Sequence, residues 1–121
     1  MKILGIDDNA DITEMLDTVL NSDEHEFSFV NGGKEGLEKI KQNTYDMVLL
    51  DLSMPNFTGI DVVNGLNDAG IMKKQKIVLF TASSMTDTEI EELIKKGVHS
   101  CIRKPVDIPV LLEKLVEIEN S

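Results

Sequence analysis

Five polar side chains stand where apolar runs stop. Asp7 and Asp8 follow "KILGI", Asp51 follows "MVLL", Thr81 follows "KIVLF", and Lys104 comes shortly after "HSCI". A carboxylate at the end of a buried run is costly unless something offsets its charge. Three carboxylates brought together repel, and at least one of them then holds its proton more tightly than usual. A hard divalent cation such as Mg2+ resolves that conflict, because it takes one or two carboxylates together with waters and phosphate oxygens. A lysine ammonium and a threonine hydroxyl beside it suit the oxygens of a phosphoryl group. Taken singly, each residue has an ordinary account. Asp7 and Asp8 could precede a helix and favour its dipole. Asp51 could be a strand-end acid, Thr81 a structural residue, and "KP" a turn. Whether the five meet depends on the elements that carry them.

Hydrophobic periodicity supplies those elements. "KILGI" (2–6) reads as a buried strand, and Ile12, Met15, Leu16, Val19 and Leu20 then form a helical stripe. "EFSFV" (26–30) alternates as a short strand, and "NGGKEGLEKIKQ" (31–42) is a weaker helix anchored by Leu37 and Ile40. "YDMVLL" (45–50) is the third strand. Thr58 and Asp61 resemble a capping box ahead of Ile60, Val62, Val63 and Leu66. "KIVLF" (76–80) is the fourth strand, and Thr86 with Glu89 caps a helix carrying Ile90, Leu93 and Ile94. "HSCI" (99–102) is the fifth. Asp107 can cap the last helix, with Pro109 in its first turn and Leu111, Leu112, Leu115 and Val116 facing the core.

This strict alternation predicts an α/β fold with helices on both faces of a parallel sheet. Strands 1, 3 and 4 are nearly continuous apolar runs and belong in the centre, with strands 2 and 5 at the edges. The result is a doubly wound five-stranded sheet of order 2-1-3-4-5, the flavodoxin-like (α/β)5 arrangement. Its ligand crevice lies beyond the carboxyl ends of the strands, at the switch point between strands 1 and 3. All five polar residues converge on that edge.

A chain of 121 residues fits one domain spanning 1–121. Twenty-two acidic residues against twelve basic ones give a net charge of −10, which repels phosphate backbones and disfavours direct nucleic-acid binding. Four Phe and one Tyr offer no stacking platform for bases. No apolar run approaches the ~20 residues of a membrane span, and the N-terminus reaches acids too early for a signal peptide. The single Cys101 excludes an internal disulfide and fits a reducing cytoplasm.

In this order, the motifs "IDDN" (6–9), "VLLDLSMPNFTG" (48–59), "VLFTAS" (78–83) and "RKP" (103–105) resemble the receiver domain of two-component response regulators (CheY-like). The resemblance covers essentially the whole chain. It implies that Asp51 accepts a phosphoryl group from a phosphohistidine on a sensor histidine kinase or histidine phosphotransfer protein. It implies Mg2+, with Mn2+ able to substitute, held by Asp7, Asp8, Asp51 and the Ser53 backbone carbonyl. Lys104 and Thr81 would bind phosphoryl oxygens, Pro55 and Gly59 would shape the loop after strand 3, and the Lys104–Pro105 peptide would be cis. The implied activity is not that of a conventional enzyme: the domain catalyses its own Mg2+-dependent phosphorylation and dephosphorylation.

The same resemblance makes Thr81, Ala82 and Ser83 the start of a switch. Thr81 would move toward the phosphoryl group and pull residues 82–86 into a second arrangement. Residues 86–119 would then present an altered face to a downstream protein. Family members commonly carry an aromatic residue three positions before the lysine. Here that position is Cys101, whose small thiol cannot perform the same rotation and reads as inert packing. Ser53 and Ser83 occupy the positions that tune dephosphorylation and supply neither a shield nor a strong aid to water. The expected protein is a cytoplasmic, stand-alone regulator, monomeric or weakly dimeric, with its initiating Met directly before the first strand.

Other classes fit less well. A haloacid-dehalogenase-like phosphohydrolase places a second Asp where Ser53 stands and needs more chain for a cap. A flavodoxin-like flavin binder needs a hydroxyl- and glycine-rich loop where "DDNADI" would repel phosphate. A degenerate receiver that docks independently of phosphorylation has no need of the intact set Asp7, Asp8, Asp51, Thr81 and Lys104.

Overall fold

A computed structural model of the chain describes residues 1–82 and 84–121. Among these residues five strands pair in parallel: β1 (Lys2–Ile6), β2 (Glu26–Val30), β3 (Met47–Leu50), β4 (Lys76–Ala82) and β5 (Ser100–Lys104). Their spatial order is β2-β1-β3-β4-β5, as the apolar runs predict. The connections are α1 (Ala10–Leu20), α2 (Gly33–Gln42), α3 (Gly59–Asp68) and α4 (Asp87–Lys95), and α5 (Ile108–Glu119) follows β5. No helix among the described residues is long and apolar enough to cross a membrane.

The central strands are apolar throughout because each serves two cores. Val48, Leu50, Ile77 and Leu79 point toward α2, α3 and α4, packing with Leu37, Ile40, Val62, Leu66 and Leu93. Their neighbours Met47, Leu49, Val78 and Phe80 point the other way, toward α1 and α5, and meet Leu16, Leu20, Leu111 and Leu115. Successive strand residues face opposite sides, so a strand covered on both faces has no position for a polar side chain. Each fully buried aliphatic side chain contributes about 1.5–3 kcal/mol. This two-sided core fixes where the strand ends lie.

Four details differ from the sequence-based expectation. Val116, expected to face the core, is 49% exposed, and the helix residues Ile60 and Ile94 are each 44% exposed. On α5 the buried residues are Leu111, Leu115 and Ile118, a narrow stripe that leaves Val116 one step outside. The fifth strand runs over Ser100–Lys104 instead of 99–102, because an edge strand tolerates the polar residues at its end. Ala82 belongs to β4 and pairs with Lys104, so it is a strand residue and not part of the following loop. The boxes Thr58/Asp61 and Thr86/Glu89 form as predicted, whereas Asp107 sits at the cap of α5 without a side-chain hydrogen bond.

At the opposite end of the sheet two lysines cap helix C-termini. Lys74 Nζ donates to the carbonyl oxygens of Ile40 and Asn43 at the end of α2. Lys76 Nζ donates to those of Ile118, Glu119 and Ser121 at the end of α5. A cation at a helix C-terminus also complements the helix dipole.

Candidate functional site

The site is built by continuing the sheet one residue past its strands. Asp51 N donates to the Ile6 carbonyl at 2.9 Å and Asp7 N to the Val30 carbonyl at 3.2 Å, which seats both side chains at the carboxyl edge. Asn31 Nδ2 holds the Asp7 carbonyl at 2.8 Å and Thr13 Oγ1 at 3.1 Å. Asn9 caps α1, its side chain accepting from Asp11 N and Ile12 N, while its own N–H donates to Asp7 Oδ1 at 2.9 Å. Sequence reasoning passed over Asn9 and Asn31; the visible signal was an Asn at the start of a helix and another just after a strand.

Asp7, Asp8 and Asp51 present carboxylate oxygens within 4.8 Å of one another. Asp7 and Asp51 are buried and Asp8 is exposed. Lys104 Nζ lies 2.6 Å from Asp7 Oδ2 and 4.0 Å from Asp51 Oδ1, and 5.1 Å from the centre of the Phe80 ring. Ser53 N donates to Asp51 Oδ1 at 3.3 Å. Thr81 is fully buried on β4 beside β5. The structure thus brings Asp7, Asp8, Asp51 and Lys104 together, with Ser53 exposed beside Asp51 and Thr81 near the same end of the sheet; Ser83 lies outside the described residues.

The loop after β3 turns away in few residues. Phe57 N donates to the Pro55 carbonyl at 2.7 Å across Asn56, whose φ is +66°, a conformation that Asn tolerates better than most residues. Gly59 N then donates to the Leu52 carbonyl at 3.2 Å. A Cβ on Gly59 would lie 2.5 Å from the Asp51 carbonyl oxygen and 2.7 Å from Leu52 Cα, so the start of α3 rests directly on the end of β3. The Lys104–Pro105 peptide is cis, as expected. Cys101 is half-buried on β5, and burial pushes its thiol up in pKa while Arg103 pulls weakly the other way. That favours the unreactive thiol.

Burial raises the pKa of Asp51, and the neighbouring Asp7 raises it further; Lys104 and the Ser53 N–H oppose this, and Asp8 adds a smaller upward push. A folded-state pKa above the unfolded value means a contribution to stability that is present below the unfolded pKa and lost as pH rises through the folded one. At neutral pH the ionised Asp51 therefore burdens the metal-free fold. Asp51→Asn is expected to raise the thermal midpoint at pH 7 without divalent metal, with the gain shrinking as pH falls toward about 4. Melting curves over that pH range check this, and a gain independent of pH would refute it.

The donor set suits a hard divalent cation. It offers three carboxylates with one oxygen each in range, two of them buried, and burial and the neighbouring acid Asp7 leave the charge of Asp51 short of compensation. Soft ligands are missing from it: the one cysteine, Cys101, is not among the three acids.

The family model described as "Response regulator receiver domain" matches residues 3–116. The chain is 32% identical over 114 residues to the response regulator ArlR of Staphylococcus saprophyticus, covering 94% of this chain and 50% of ArlR. Among solved structures it resembles the Francisella response regulator 1452 receiver domain, with 25% identity and a TM-score of 0.84 over 98% of this chain and 96% of that one. It also resembles the Thermotoga maritima response regulator TrrA, solved in complex with Mg(2+)-BeF, with 27% identity and a TM-score of 0.80 over 97% of each chain. The chain spans about half the length of the curated relatives it matches.

Proposed function

The chain belongs to the response regulator receiver domain family, and from that premise we propose that it is a signalling switch in which Asp51 takes a phosphoryl group from a partner's phosphohistidine. The observation that carries this is Asp51 itself: a buried carboxylate grouped with Asp7 and Asp8 and 4.0 Å from the Lys104 ammonium.

Phosphoryl transfer depends on positioning and charge neutralisation more than on covalent work by the protein. An Asp51 oxygen forms the bond to phosphorus as the P–N bond to the donor imidazole breaks, and that electron pair stays on the ring nitrogen. The backbone N–H of Ser53 orients Oδ1, leaving the other oxygen to attack. Lys104 would move from Asp7 to an equatorial phosphoryl oxygen, and Thr81 would donate its hydroxyl to another. Asp7, Asp8, Asp51 and the Ser53 carbonyl would hold Mg2+, or Mn2+ in its place, which when bound neutralises phosphoryl charge. Water would later hydrolyse the acyl phosphate, with the small Ser53 giving it open access. The domain thus catalyses its own modification, with a sensor histidine kinase or histidine phosphotransfer protein as the cytoplasmic donor. Residues 86–119 are the proposed face for a downstream protein, and the switch begins at Thr81 and Ala82.

Acetyl phosphate with Mg2+ is expected to add one phosphoryl group, labile to hydroxylamine and absent in Asp51→Asn. Intact mass spectrometry reads the result, and an unmodified parent protein would overturn the proposal.

A further inference from the structure

Arg103 stands one residue before Lys104 on β5, and its guanidinium reaches across to the segment that leads into α4. Nη1 donates to the Met85 carbonyl, and Nη2 meets Asp87 Oδ1 at 2.8 Å. Asp87 is the first residue of α4. Along β5, Arg103 pairs with Thr81 and Lys104 pairs with Ala82. One side chain therefore ties the strand that carries the lysine to the loop that a moving Thr81 would drag.

That tie matters at the start of α4, because the helix's hydrogen bonds to α3, from Asn67 Nδ2 to the Lys96 carbonyl and from Lys96 Nζ to Asn64 Oδ1, lie at its far end. Only Ile90 and Leu93 are buried on it, while Ile94 is 44% exposed. By contrast α3 buries Val62, Val63 and Leu66. An element with two buried anchors sits at the low-stability end of a fold, so even the modest pull of a guanidinium on a carbonyl and an exposed carboxylate weights its position. The aromatic residue that family members use on β5 is Cys101 here, which cannot swing between two positions.

We propose that Arg103 is a positioning residue of the switch, latching the start of α4 to β5 and opposing the rearrangement that phosphorylation drives. This rests on the receiver reading above. The bonds to Met85 and Asp87 must break or be carried along when the loop moves, so they weight the equilibrium toward the resting arrangement. A ligand that favours the other arrangement binds with an affinity scaled by the fraction of molecules already in that arrangement. Removing the latch raises that fraction and tightens binding, although Arg103 touches no ligand.

The test is calorimetric titration of the full chain with Mg2+ and beryllofluoride, a phosphoryl mimic, on the parent, Arg103→Ala, Arg103→Lys and Asp87→Asn, together with amide hydrogen exchange of residues 87–90 without ligand. Arg103→Ala should bind about three- to tenfold more tightly and exchange faster in the first turn of α4. Arg103→Lys, which keeps the charge but cannot fork, should fall between. Asp87→Asn, at a 94% exposed side chain and safe for folding, should tighten binding by about twofold. Unchanged or weaker binding in Arg103→Ala and Asp87→Asn, with a parent that binds, overturns the latch alone. A parent that does not bind overturns the receiver reading and the latch with it.

Discussion

Lys104→Met is expected to slow modification of Asp51 by acetyl phosphate about 100-fold, the scale set by deleting one preorganised group that meets developing charge. Methionine keeps most of the stem and removes the ammonium, which also lies 5.1 Å from the centre of the Phe80 ring. In the resting protein that ammonium sits 2.6 Å from Asp7 Oδ2 and 4.0 Å from Asp51 Oδ1, with the lysine side chain 19% exposed and that of Asp7 5%. Removing one partner of such a pair costs about 3–5 kcal/mol when the other charge stays buried and alone. Proton uptake by one of the clustered carboxylates relieves part of it. Mg2+ should then restore much of the lost stability without restoring the rate, because the ion replaces the lysine as counterion and not as the second contact to the phosphoryl group. Time courses of intact mass, paired with thermal melts with and without Mg2+, separate the two roles. A rate within threefold of the parent would remove Lys104 from the proposed chemistry.

A comparable effect on stability is expected at a residue with no side chain. Gly59→Ala would place a Cβ 2.5 Å from the Asp51 carbonyl oxygen, 2.6 Å from Leu52 Cδ2 and 2.7 Å from Leu52 Cα. A leucine tip can rotate away, but the other two atoms are backbone at the end of a central strand. Relief requires α3 to lift from β3, which strains the Gly59–Leu52 hydrogen bond and displaces Asp51. Overpacking of this kind costs about 3 kcal/mol or more. Urea unfolding reads the loss, and the same variant should be phosphorylated more slowly because its nucleophile has moved. A midpoint close to the parent's would show that the loop yields freely and that the contact sets nothing.

Much of this was legible in the order of residue types. Apolar runs named the central strands because two-sided burial permits nothing else there, and their abrupt ends marked the edge where Asp7, Asp51 and Thr81 gather. Periodicity did less well on the helices. Ile60, Ile94 and Val116 each lie beside a buried stripe, and spacing alone cannot tell the stripe's centre from its margin. The edge strand β5 extends through Arg103 and Lys104, whose charges made it look finished two residues early. Arg103 left no local trace, since Met85 and Asp87 are 18 and 16 residues away and a lone arginine at a strand end names no partner. Gly59 was marked as a loop residue, but the reason for it, a strand end within touching distance, exists only in three dimensions.

Lys74 and Lys76 give the molecule a fastened base. They clamp α2, on one face of the sheet, and α5, on the other, at the end farthest from the acids. The protein is therefore asymmetric along its strands, with lysine clamps at one pole and the acid cluster at the other. On the proposed switch, rearrangement at the crown would leave this base and the hydrophobic interior closed, so the chain would expose no surface that invites aggregation.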